Sequence, residues 1–412
     1  MVKSMKNTDQ QIKVPNYIFV FLAPLGMINL VFISPGLPML AKYFNVSFSE
    51  SHNVVVLFTL GYALGTLMYG PIANFFGRKK SLYFGVLLTI FGSLICLIGI
   101  SFHSYSLLTV GRLLAGLGAG SGMVISFLVV NDVYKDEAAR KAMGYCLIGL
   151  SLFPGVFNFI GGSLTSDFGW ISSFYFMFFF NIFIFFLAMI KLPETYTPRP
   201  GKLKIKDVFI NYSEAVRNKN LVISALMYGL CATILFSAVA YLPFIGIDML
   251  KMSPFLFSIC YLIIYLAYVL GCHVNNMMAK YYSMKQTIIL GSCVTMLGGV
   301  MLVITYLTSC SSIIVFTTAA SIVFLGLPLI KIGVTIFGIS SHNDKANASS
   351  FFTFCFLMTG TVLTYFVRFA DMNLLLTLGC ICIVLMIISF ILYSRIFMVK
   401  NKNKRLYDSV PT

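Results

Sequence analysis

Apolar residues along this chain do not alternate or recur on one face; they fill whole stretches, each closed by a short polar or basic connection. "LGTLMYGPIANFFGRKK", Leu64 to Lys80, is typical, passing from small and apolar residues directly into Arg78, Lys79 and Lys80. A helix needs roughly 20 such residues to cross a hydrocarbon core. Twelve stretches meet that requirement. The first six are Tyr17–Leu40, Val54–Phe75, Leu82–Ile100, Leu107–Val130, Ala142–Leu164 and Ile171–Ile190. After a break come Leu221–Phe244, Phe255–Met278, Thr287–Leu307, Ile313–Ile339, Ser349–Val367 and Leu374–Phe397. The expected fold is therefore all-α, an integral membrane bundle of twelve transmembrane helices.

Charge tests that count. Sorted over alternate connections, nearly all Lys and Arg fall on the side that carries both termini, and the other side holds only Lys42, Lys251 and Arg368. The positive-inside rule then places both termini in the cytoplasm. The longest connection, residues 191–220, is basic and divides the chain near its middle. Gly65 and Gly271, half a chain apart, each precede a polar, cationic turn. Two parallel six-helix halves, 1–190 and 221–412 with its short basic tail, are expected around a central cavity, a plan that puts a substrate site at their interface.

Composition agrees and removes other classes. The 412 residues are 59% hydrophobic and 10% charged, with a mean hydropathy of +0.92, whereas soluble domains are about 25% charged. The net charge of +16 is spread between apolar runs, so it sets topology and implies no nucleic-acid partner. The ten Cys stand mostly inside apolar runs as small hydrophobes. With no CxxC or Cys/His cluster, no metal, cofactor or disulfide is expected. The first stretch is too long and too rich in proline for a cleaved signal, and reads as a retained helix. A GxxxxGK[ST] loop is absent, which argues against a nucleotide-driven pump. No constellation of catalytic residues marks an enzyme.

Six motifs, in order, resemble the major facilitator superfamily, and within it the Bcr/CflA-type drug-resistance exporters. "GPIANFFGRKK" is similar to the signature loop between helices 2 and 3, with Gly70, Gly77, Arg78 and Lys79 retained. "GRLLAGLGAGSG" resembles the helix 4 motif around Arg112, and "FPGVFNFIGG" the helix 5 export motif with Pro154, Gly155, Gly161 and Gly162. "SPGLP", "NDVYKDEAARKAM" and "LPET" complete the set. The resemblance implies a secondary active transporter of the inner membrane, moving a small organic solute by alternating access. Export is the expected direction, and import or facilitated passage of an anionic metabolite or siderophore the alternative. It also implies a gating role for the loop at Gly70, Asn74, Gly77, Arg78 and Lys79. The chain departs from the pattern where acids are usual: Asn74 replaces one in the signature loop and Val31 another in helix 1.

Those departures sharpen the reading of polar residues inside the membrane. All thirteen carboxylates fall in connections or at helix ends, Asp132 being a borderline case. His273 is the titratable candidate within helix 8, so His273 and Asp132 are the candidates for proton coupling. Arg112 and Lys331 are intramembrane cations that either face a cavity or snorkel. Facing a cavity together, they favour an anionic solute. Tyr261, Tyr265 and Tyr268 share one helical face and line a pathway or form a packing seam; Asn29 and Asn158 carry the same two readings. The expected partners are the lipid bilayer, that solute and a proton as coupling ion, with the protein acting as a monomer.

Overall fold

Each of the twelve apolar stretches is a helix in the computed structural model, which describes residues 14–196, 213–342, 345–369 and 373–407. In chain order they are α1 (Tyr17–Phe44), α2 (Phe48–Phe76), α3 (Arg78–Ser101), α4 (Tyr105–Val133), α5 (Asp136–Phe168) and α6 (Ile171–Lys191). Then follow α7 (Lys219–Met249), α8 (Pro254–Met278), α9 (Met284–Leu307), α10 (Ile313–Ser340), α11 (Ala348–Val367) and α12 (Leu374–Ser394). Each is long and apolar enough to cross a membrane. No strand occurs among the described residues.

The ends differ from the hydropathy pattern where charge hides a helix. α5 begins at Asp136 instead of Ala142, because Asp136 and Glu137 occupy its first turn, a place where the helix dipole favours acids. The last helix likewise runs past the apolar stretch to Tyr407. Most of the basic connection between α6 and α7 lies outside the described residues.

Proline shapes the helices that reach the centre. α1 is broken at Ala23–Pro24 and again by a 3₁₀ turn at Ser34–Gly36, since proline offers no backbone donor to the preceding turn. Pro154 and Pro328 lie inside α5 and α10. α7 ends in a π-helical stretch, Phe244–Met249, directly after Pro243.

α4 packs closely against α2 and α3, and α10 against α9. A Cβ on Gly118 of α4 would stand 2.4 Å from the Gly85 carbonyl of α3, so only glycine permits that approach. Between the first six helices and the last six, α5 lies along α8 and α2 along α11. Tyr175, Phe179, Phe183, Phe186 and Ile190 form an exposed stripe on α6, the aromatic face its sequence prepares for lipid.

Candidate functional site

The α2–α3 turn is made by one residue. Gly77 has φ 93°, and a Cβ there would meet the Glu194 carboxylate at 2.5 Å. Glu194, just beyond α6, accepts the Arg78 N–H at 2.8 Å and the Lys79 N–H at 3.2 Å. It thereby caps the free donors of the first turn of α3 and meets the positive end of its dipole. The Arg78 side chain is 5% exposed and donates from Nε to Asp132 at 2.8 Å and from Nη1 to Asn74 at 2.7 Å. Tyr196 covers the guanidinium at 4.2 Å from its ring centroid, and the Thr195 hydroxyl reaches Asp132 at 3.3 Å. The turn thus brings Asn74, Gly77, Arg78, Lys79 and Asp132 together; Gly70 stands apart in open space.

Two further clusters lie within the helices. Arg112 of α4 is 3% exposed and does not snorkel. Its Nε donates to the Val54 carbonyl of α2 and its Nη1 to the Asn29 carbonyl of α1, both at 3.1 Å. Phe58 lies 4.1 Å beneath it, and Nη2 has no partner among the described residues. Asn29 exchanges amide hydrogen bonds with Asn181 of α6, which also donates to Ser93 of α3. Asn158 of α5 donates to the Val31 carbonyl of α1 at 3.0 Å.

The other cluster sits where α7, α8 and α10 meet. Lys331 is 8% exposed. Its Nζ donates to the Tyr268 hydroxyl at 2.9 Å and stands 4.7 Å over the Tyr228 ring. Of the candidate tyrosines of α8, Tyr261 and Tyr265 are buried and Tyr268 is half-buried, with ring centroids 5.1 Å apart between the first two and 6.0 Å between Tyr265 and Tyr268. The α5 motif packs on this helix. A Cβ on Gly155 would stand 2.7 Å from the Tyr265 Cβ, and one on Gly162 2.3 Å from the Ser258 Cβ. Gly161 meets the Phe32 carbonyl of α1 instead, and Pro154 is buried beside them. Tyr265, the side chain that Gly155 of α5 meets, is the ring neighbour of Tyr268 and so ties α5 to the residue that holds Lys331. The Lys331 cluster therefore borders the seam between the first six helices and the last six. His273 is not part of it: that ring stands on the exposed side of α8.

The end of the bundle bearing the α1–α2 turn is closed across the same seam. Ser34 donates to the Val239 carbonyl at 2.9 Å, Lys42 pairs with Asp248 at 2.6 Å, and Arg368 donates to Asn53. Phe48 and His52 pack edge-on against Tyr241, all at about 5 Å between ring centroids.

Several partners were not named from sequence. Glu194 and Thr195 lie in the quoted "LPET" motif, whose capping role only the fold reveals. Asn181 sits in an aromatic run, Tyr228 in an apolar one, and His52 beside a helix start; each offered a lone polar group as its only signal. Among the described residues no group of three His, Cys, Asp or Glu side chains comes together to hold a metal.

The sequence profile described as Major Facilitator Superfamily matches residues 17–362. A bicyclomycin resistance protein homolog of Haemophilus influenzae is 26% identical over 184 residues, 43% of this chain and 46% of that protein. The multidrug resistance protein MdtL of Shigella dysenteriae is 29% identical over 205 residues, 50% of each chain. The aligned stretches span 46% to 63% of the lengths of these and similar curated relatives. In fold, the chain superposes on the crystal structure of a D-xylose-proton symporter with a TM-score of 0.73 at 14% identity, covering 91% of this chain and 96% of that one. The twelve spanning helices among the described residues, with relatives of this kind, make it a multi-pass inner-membrane protein. By the match over most of its length, the chain belongs to the Major Facilitator Superfamily, a family of membrane transport proteins and not of enzymes.

Proposed function

We propose that this protein is a secondary active transporter that exports a small organic anion by alternating access. Its halves, 1–190 and 221–412, rock about the seam between them, and both termini lie in the cytoplasm. The observation that carries the reading is the Lys331 site: an ammonium 8% exposed at the seam, held by a phenol and a ring face, with no carboxylate paired to it among the described residues. A cation kept inside a membrane protein at such cost is ordinarily there to meet an ion or substrate. Aromatic faces around one fixed charge suit a solute with an apolar body and an anionic head.

Export is supported by the α5 motif, whose glycines bring α5 onto α8 beside this site, and by the names of relatives that confer drug resistance. In this reading the closed end faces outward and the Arg78 cluster pins the cytoplasmic end. The reading is tested in cells loaded with a labelled aromatic carboxylate such as anthranilate. Cells making the protein lose the label faster than cells without it, and the Lys331→Met variant returns the loss to background. Faster accumulation instead would install the alternative, import of an anionic metabolite or siderophore, which the missing acids at Asn74 and Val31 also accommodate.

A further inference from the structure

Buried cations in this fold are treated in two ways. Arg78, at the α2–α3 turn, has Asp132 as a full counter-charge. Arg112 and Lys331, inside the helices, have none among the described residues; carbonyls, one hydroxyl and ring faces hold them instead. Every described carboxylate lies at or beyond a helix end; Glu50, Asp132, Glu137, Asp167 and Asp248 stand one or two residues inside an end of a spanning helix, and Glu137 and Asp167 are exposed there. Glu50 is spent on its own helix cap, Asp132 on Arg78 and Asp248 on Lys42. Dipoles soften the cost of a buried charge, but only an opposite charge cancels it.

We propose that the transporter works as an obligate exchanger of organic monoanions, one carried out for each carried in, with a second anion and not a proton as counter-substrate. The proposal rests on the anionic-solute reading above. Alternating access takes the seam site through an occluded state in which water is excluded. Loaded with a monoanion, the Lys331 site enters that state as a neutral pair. Empty, it enters as a bare ammonium in low dielectric, and that crossing is slow. The unloaded carrier therefore waits at either face until an anion arrives. Binding a proton does not relieve the empty site; only releasing one from Lys331 would, and that route shows itself as efflux driven by a pH gradient in the test below. No described carboxylate beside Lys331 can accept one, Asp248 being paired with Lys42 at the closed end of the seam, and a proton added to the neighbouring phenols would raise the positive charge further. Each full cycle then moves one anion each way and no net charge.

The test uses the full chain in liposomes made in sulfate medium and loaded with one labelled aromatic monoanion: p-aminohippurate, anthranilate or benzenesulfonate. Efflux is followed into medium with and without the same unlabelled anion. The expected result is that external anion speeds efflux about a hundredfold, which corresponds to about 2.7 kcal/mol. An imposed pH gradient or potassium–valinomycin potential leaves the exchange rate unchanged. Lys331→Arg keeps exchange, and Lys331→Met, checked for an unchanged unfolding temperature, loses it. Efflux as fast into anion-free medium, efflux driven by the pH gradient, or full acceleration by chloride alone overturns the organic-anion exchanger while leaving the anionic solute in place. Failure to move any of the three anions overturns both.

Discussion

At the residue scale, the positions that matter most are those where the side chain, or its absence, answers two demands at once. Gly77 must adopt φ 93° and also leave room for the Glu194 carboxylate. A Gly77→Ala substitution puts a side chain at φ 93°, ψ 166°, a region essentially confined to glycine, at a cost of about 1–3 kcal/mol, and displaces the cap of α3 as well. It is expected to lower the unfolding temperature in detergent, and an unchanged melting curve would remove this account of the turn. Asn29 and Asn181 make a reciprocal pair inside the membrane. Asn181→Leu is expected to cost about 1 kcal/mol, as polar pairs between membrane helices do, and Asn29→Leu in the same chain is expected to add less than it costs alone. Fully additive costs, measured by reversible unfolding, would mean that the two amides do not act together. The individual candidates were legible because charge and amide groups stand out against 59% hydrophobic residues. Their partners were not, since Asn181 lies 152 positions from Asn29 and Lys331 63 from Tyr268, and nothing local links them.

At the element scale, hydropathy located the helices well because lipid allows no other way to satisfy a spanning backbone. It missed the first turn of α5, where acids favour the helix while lowering its hydropathy. It was also silent on how helices meet. That information resides in which glycines face which neighbour: Gly155 and Gly162 toward α8, Gly161 toward α1. The closure across α1–α7 and α2–α11 is of the same kind, a set of contacts between residues distant in sequence. If that end opens and closes during transport, tying it shut stops the cycle. In a background freed of native cysteines, Lys42→Cys with Asp248→Cys joined by a short bifunctional thiol reagent is expected to abolish anion efflux, and either single variant to retain it. Undiminished efflux with complete cross-linking would mean that this end does not move.

For the whole molecule, charge asymmetry gave an orientation that the fold by itself does not supply. Reporter fusions to the C-terminus and to the α1–α2 turn near Asn45 are expected to place the first in the cytoplasm and the second outside; the reverse would exchange the two ends in the account above. At the seam a buried lysine has no counter-charge among the described residues, and we propose it as the binding point for an anionic solute. Equilibrium binding to the purified protein tests it most directly, with labelled p-aminohippurate, anthranilate and benzenesulfonate as probes and tetraphenylphosphonium as the cationic control. Saturable binding of at least one anion is expected, weakened roughly thirtyfold or more by Lys331→Met and retained by Lys331→Arg. Binding of the cation alone, equal in the native protein and in Lys331→Met, would contradict it.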